Sequence, residues 1–177
     1  DIHTLEPAIR HWASEVADCR IGDVLMNSPY ETGTPHLWAH IQEGVLAWSA
    51  TMLGSPDLLE VAVRSAEALL VPAVTSAFAF PGCSPYDVAC CVYSFDRLAE
   101  ATGEPRWATH AEDARAWFDG RNPAGAPVYD VTRGRVADGV DEGRISENSG
   151  AEANIEGASA LFDRVIARDA DPFAETA

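Results

Sequence analysis

Apolar residues recur along this chain at intervals of three and four, the spacing that gathers side chains on one face of an α-helix. In segment 6–20 the positions are Ile9, Trp12, Ala13, Val16 and Ala17, and in 36–53 they are Leu37, Ile41, Val45 and Trp48. Segment 56–71 supplies Leu58, Val61, Ala62 and Leu69, and segment 105–119 supplies Trp107, Ala111, Ala114 and Phe118. The last such segment, 150–168, supplies Ile155, Ala158, Leu161, Phe162 and Val165. Segment 86–102 is apolar almost all round, which predicts a helix buried on most sides. No strand pattern competes with these, so the expectation is an all-α fold.

The helical segments repeat. Pro7, Pro56 and Pro105 are spaced by 49 and again by 49 residues, each after Glu or Ser (Glu6, Ser55, Glu104). Proline fits the first helical turn, where its missing N–H has no partner to lose. Two of the three follow tight links, Leu53-Gly54-Ser55 and Thr102-Gly103-Glu104, in which glycine is the expected C-cap. The other helices carry their own start signals. Thr34-Pro35 and Ser84-Pro85 pair an N-cap with a proline at N1, and Ser149-Gly150-Ala151-Glu152 reads as a capping box.

The chain therefore reads as a tandem array of helical hairpins, each unable to bury its apolar face alone. Hairpins of this length recur in α/α toroids, where inner helices line a funnel and outer helices surround it. The expectation is an (α/α)6-like array over residues 1–177, a single domain or the C-terminal part of one. Two complete hairpins, with one further helix of each kind, make about half a ring. A second chain or a further segment would then complete it.

Composition narrows the partners. Net charge is −16, from 28 acids against 12 bases, and every base is Arg. Such a surface repels phosphate backbones and anionic membranes, which disfavours nucleic acid and membrane as partners. No run approaches the roughly 18 apolar residues of a membrane span. The start, DIHTLEP, has neither the basic nor the apolar region of a signal peptide, and it lacks Met, as a processed product or a cut piece would. Cys19, Cys83, Cys90 and Cys91 form no CxxC pair and read as buried thiols of a reducing, cytoplasmic compartment. His3, His11, His40 and His110 read as helix or terminal residues, so no metal and no cofactor are expected.

All long links, 21–35, 72–85 and 120–149, run from an outer helix to an inner one, and they should gather at one mouth. Function concentrates on loops held by a rigid scaffold. The candidates there are carboxylates and rings: Tyr30, Glu31, His36, Tyr86, Asp87, Asn122, Tyr129, Asp130, Asp138, Asn148 and Glu152. Glycoside chemistry needs one acid to protonate a leaving oxygen and a second as base or nucleophile, with rings packed on the sugar faces. Glu31, Asp87 and Asp130 are the expected catalytic acids, and the others the expected substrate contacts. Each also has a plainer role. Glu152 completes the capping box, Asp87 favours the helix dipole, Asp130 makes an Asx turn, and Asp138-Gly139 is a turn.

The run Trp117-Phe118-Asp119-Gly120-Arg121-Asn122, followed by Tyr129-Asp130, Asp138-Gly139 and Asn148-Ser149-Gly150-Ala151-Glu152, forms a distinctive block. It resembles the α/α-toroid region found joined to, or beside, bacterial group 1 glycosyltransferases, within the six-hairpin glycosidase architecture. Ala153 stands where that pattern more often has Ser, and the chain carries no nucleotide-sugar-binding Rossmann region. The resemblance implies a carbohydrate-active protein with glycoside hydrolase-like chemistry. A non-catalytic helical binding or assembly module accompanying a glycosyltransferase is the alternative. A terpene cyclase-like toroid ranks below both, because the Asp-x-Asp-Asp protonating motif is absent.

Overall fold

The computed structural model describes residues 2–169, with side chains over 4–162; His3 and Val165 lie outside the described side chains. The chain is mostly helical. Its helices are α1 (Ile2–Asp18), α2 (Gln42–Leu53), α3 (Pro56–Ser65), α4 (Val71–Thr75), α5 (Pro85–Thr102), α6 (Pro105–Arg115) and α7 (Ala151–Asp169). A π-helical turn over Ala66–Leu70 joins α3 to α4. Pro72, which has no N–H to give, sits just beyond that turn, a common setting for a local change of helical pitch.

Two rows of helices result. Helix α5 packs between α2 and α7, while α1, α3–α4 and α6 lie behind, α1 against α2 and α3, and α4 against α6. The two tight links behave as their glycines predict. Gly54 and Gly103 are left-handed, with φ of 59° and 69°, and their N–H groups close the helices onto Ala50 and Ala99. Helix α5 buries Val88, Ala89, Cys91, Val92, Phe95 and Leu98, and the Phe95 ring stacks on Trp107 of α6 at 5.9 Å. Each such side chain removed from water stabilises the fold by roughly 1.5–3 kcal/mol. The buried Arg115 of α6 braces three helices, donating to Ala160 O on α7 at 2.8 Å and to Asp96 on α5.

Several boundaries differ from the sequence expectations. Pro7 lies inside α1 rather than at its start and costs that helix one backbone hydrogen bond. Thr34-Pro35 caps no helix, because α2 begins only at Gln42. The reason is tertiary: Leu37 and His40 are drawn into the core, and Ala39 turns left-handed (φ 59°) to let them in. Short strands are present after all. Three two-residue antiparallel ribbons, β1–β2 (Arg20–Ile21 with Val24–Leu25), β3–β4 (Tyr129–Asp130 with Arg135–Val136) and β5–β6 (Val140–Asp141 with Arg144–Ile145), fold up the long links. Pairs this short leave too little alternation for a period of two to register. All four cysteines are free, with Cys83, Cys90 and Cys91 buried. Among the described residues no helix is long and apolar enough to cross a membrane.

Helix α2 approaches α5 closely at Gly44, where an added Cβ would stand 2.6 Å from the Tyr93 ring and 3.0 Å from Ser94 Cα. Alanine favours a helix over glycine by about 1 kcal/mol, whereas overpacking costs about 1–3 kcal/mol. Gly44→Ala is therefore expected to lower stability in urea denaturation by about 1–2 kcal/mol. A gain in stability instead would mean that the two helices do not meet there.

Candidate functional site

Links one and two converge with the first turns of α5 and α7 on a cleft of about 650 Å³. Link one contributes Pro35, His36 and Trp38; link two contributes Phe80 and Gly82. Ser84 and Asp87 stand at the start of α5, and Glu152 in the first turn of α7. Phe80 is positioned by an unusual turn in which Ala77 and Phe78 are both left-handed, with φ of 53° and 57°. Non-glycine residues in that region cost on the order of 1–3 kcal/mol each, and they persist where the surroundings hold them. Here the fully buried Phe78 ring, edge-on to Phe80 at 6.3 Å, provides that hold.

Asp87 forms the far wall. It closes the capping box of α5, its Oδ2 accepting from Ser84 N–H at 2.8 Å and from Ser84 O–H at 2.6 Å. Asp87 is only 7% exposed and lines the cleft, and its Oδ1 accepts no hydrogen bond among the described residues. The plainer role, helix capping, engages only one oxygen of this carboxylate.

Glu152 faces inward from α7. Its Oε1 accepts from the Trp38 indole N–H at 3.4 Å, and the return bond to Ser149 expected of a capping box is not formed. The start of α7 is held differently: Asp138 Oδ1 accepts from Gly150 N–H, and Asn154 Nδ2 donates to Ser149 Oγ at 2.9 Å. Trp38 is also edge-on to Tyr86, with ring centroids 5.4 Å apart, and 6.0 Å from the His36 ring. One turn along α7, Glu156 is half-buried; burial and the neighbouring Glu152 both push its carboxyl above the usual range. Burial, with Cys90, Glu156 and Glu152 nearby, also raises the Tyr86 phenol. The Cys90 thiol beneath is pushed up to about 12 by burial and by Glu156 and Asp87, so it stays a neutral thiol.

The third link is tied to the start of α5. Cys83 pairs with Val140, Val140 N–H donating to Cys83 O at 2.8 Å, and Gly82 N–H donates to Asp141 Oδ1 at 3.0 Å. Gly139 allows this approach, since a Cβ there would stand 2.5 Å from Cys83 O. Asp138 N–H donates to Asn148 O at 3.0 Å, and Asp138 lines a smaller hollow with Ser84, Tyr86 and Glu152.

Other predicted residues lie elsewhere. Glu31 stands behind His36 at 4.0 Å, and its Oε2 accepts from Asn27 N–H at 3.0 Å. Tyr30 is 90% exposed and lines no part of the cleft. Asn122 is a buried brace, its Nδ2 donating to Trp117 O and Ala126 O at 2.8 and 2.9 Å. Asp130 makes the Asx turn of β3–β4; the Arg133 N–H and guanidinium bind it and hold its carboxyl below the usual range. Tyr129 lines a separate hollow against α7, with Val136 and Gly157. None of these five lines the cleft that Asp87 and Glu152 share.

Three features escaped sequence reading. Trp38 counted only as a neighbour of His36. Glu156 was visible as the acid four residues after Glu152, a spacing that places both on one helical face. The third is a fully buried pair, His40 Nε2 and Glu43 Oε1 at 2.9 Å, extended by Ser65 O–H to Glu43 at 2.6 Å and by Asn27 Oδ1 to His40 Nδ1 at 3.1 Å. This chain of bonds ties the first link to α2 and α3. Among the described residues no group of three or more His, Cys, Asp or Glu is placed to hold a metal. The chain matches no protein-family model, and no curated protein is similar to it in sequence.

Leaving a buried polar group without its hydrogen-bond partner costs about 1–3 kcal/mol, whereas an exposed ion pair contributes about 1 kcal/mol or less. Chemical denaturation should therefore show a loss of about 2–4 kcal/mol for Glu43→Ala, which leaves both His40 and Ser65 without that partner, and little change for Glu60→Ala, whose partner Arg64 is exposed. Similar losses in the two variants would contradict the role given to the buried network.

Glu156 generates a pH dependence of known sign. Its folded carboxyl is raised, so the native state holds the proton more tightly than the unfolded chain does. Its contribution to stability therefore falls as pH rises from the ordinary carboxylate range through the raised value. Glu156→Gln should raise Tm at neutral pH, with the difference shrinking as pH drops below about 4. A variant less stable than wild type at pH 7 would reverse this assignment.

Proposed function

We propose that this chain is a carbohydrate-active protein with glycoside hydrolase-like acid/base chemistry at the mouth of an α/α-toroid sector. The observation that carries this reading is the cleft itself. A buried carboxylate, Asp87, and an exposed carboxylate, Glu152, line the same cavity as Trp38 and Phe80. Two carboxylates in unlike surroundings divide the labour of glycoside cleavage, one giving a proton to the leaving oxygen while the other acts as base or nucleophile. The rings of Trp38 and Phe80 supply apolar faces on which a pyranose packs. Glu31, placed behind His36, orients that imidazole at the rim and is not itself a reacting acid. The two rows of helices, α2, α5 and α7 before α1, α3–α4 and α6, have the order expected of a toroid sector, and the resemblance of the 117–152 block points the same way.

A second reading is supported by the row that α2 and α7 present. Trp48, Ile155 and Phe162 are more than half exposed there, as they would be in an assembly module that another chain covers. Sedimentation separates the two readings: a monomer that binds glycans in the cleft supports the enzyme, and an obligate complex supports the module.

Asp87→Asn and Glu152→Gln, assayed on a panel of neutral oligosaccharides, should each reduce turnover by about 100-fold or more while circular dichroism keeps the wild-type helical signal. Turnover unchanged in both variants, or absent for every glycan with the wild-type protein, would sink the enzymatic reading.

A further inference from the structure

The walls of the cleft are of two kinds. Polar side chains come from the first link and from the starts of α5 and α7, as Thr34, His36, Ser84, Asp87 and Glu152. The helical rod from α3 to α4 and the second link contribute Leu69, Ala73, Phe80, Pro81 and Gly82, with no polar side chain among them. The π-helical turn buries Leu70 completely and leaves the neighbouring Leu69 half-buried at the cleft. The backbone of this apolar wall is spent as well. Phe80 N–H donates to Phe78 O at 2.8 Å, Gly82 N–H donates to Asp141 Oδ1 at 3.0 Å, and Pro81 has no N–H. Ala73 O already accepts from Phe78 N–H at 2.8 Å and from Ser76 O–H at 2.9 Å. Two consecutive left-handed residues, Ala77 and Phe78, lead into this wall, a local strain that packing sustains.

A sugar hydroxyl that leaves water for such a wall finds no side-chain partner there and loses the bonds it had. An alkyl or aryl group gives up no hydrogen bond and gains by leaving water. Resting on the carbohydrate reading above, we propose that the substrate is a glycoside with an apolar aglycone, its sugar toward Asp87 and Glu152 and its aglycone on Leu69, Ala73, Phe80 and Pro81. The cleft of about 650 Å³ falls within the range of sites that enclose a sugar together with such a group. The reaction is hydrolysis: water supplies a hydroxyl to the anomeric carbon as the glycosidic C–O bond breaks, and the proton from the acid leaves on the aglycone oxygen. Leu69 and Ala73 touch only the leaving group, so they are specificity residues outside the acid/base pair.

The test is calorimetric titration with methyl, butyl and octyl glycosides of glucose, galactose and mannose, kept below micelle formation. Displacement of N-phenyl-1-naphthylamine, a neutral apolar fluorophore, is followed alongside. A butyl glycoside is expected to bind about tenfold or more tightly than the methyl glycoside of the same sugar, since each methylene removed from water contributes about three- to fourfold. Leu69→Ala should cut that gain to about threefold and leave methyl glycoside binding unchanged. Ala73→Asn, a second change in the same wall, should do likewise, so that a folding defect in one variant, seen by circular dichroism, does not decide the result. Ile155→Ala, on the exposed face of α7, should change nothing. Equal affinity for methyl and butyl glycosides, or a gain as large in both wall variants as in wild type, overturns the proposal. Octanol, an apolar chain without a sugar, keeps the two claims apart. If the fluorophore binds with dependence on Leu69 and octyl glycosides displace it no better than octanol does, the apolar subsite stands and the carbohydrate reading fails. If a methyl glycoside is bound and cleaved and a longer chain adds nothing, the carbohydrate reading stands and the apolar subsite fails. No binding by any probe overturns both.

Discussion

Burial of α5 is the constraint on which the rest of this structure depends. The helix is enclosed by α2, α6 and α7, so its axis and the place where it starts are settled by packing on three sides. Its first turn is then locked by the Ser84–Asp87 capping box, and the bridge from Cys83 to Val140 fastens the third link to the same point. Buried polar groups tolerate such a position only when they are bonded, and Asp87 meets that condition with one oxygen. The other accepts no hydrogen bond among the described residues. Helix packing and candidate chemistry therefore meet in a single residue.

The cleft is assembled from parts with very different mechanical support. The first link is anchored from beneath by His40, Glu43 and Ser65, which pull the backbone before α2 into the core and leave His36 and Trp38 at the rim. The second link is held by a buried Phe78 in a left-handed conformation, a local cost that packing offsets. Glu152 needs neither device, since the first turn of α7 carries it inward and Trp38 receives it. A site built this way has supported walls while its two carboxylates, Asp87 and Glu152, differ in exposure.

Much of the fold was legible in the chain. Glycine at 54 and 103 followed by proline at 56 and 105 identifies two tight hairpins, because only glycine closes the helix comfortably in the left-handed region and proline restarts it. The same local chemistry misleads at Thr34-Pro35 and at Pro7. Capping residues declare what a segment is able to do in isolation, whereas the burial of Leu37 and His40 depends on residues far along the chain. Of the candidate site residues, Asp130 and Asn122 carried the right residue types in the right block, yet their polar atoms are consumed by Arg133 and by local backbone.

The sequence by itself determined the helical character, the hairpin alternation, the acidic charge and the stretch in which the third link would lie. These follow from local rules: periodicity, capping and side-chain titration. Tertiary structure alone decided which polar atoms remain open. Glu152 was assigned to its own helix cap by its position in the sequence, but Trp38, 114 residues away, claims its carboxylate instead. Asp87 capped its helix as its position implies, and only the fold shows that it is buried and lines the cleft. Hydrogen bonds close locally when nothing better is near, and what is near is decided by the fold.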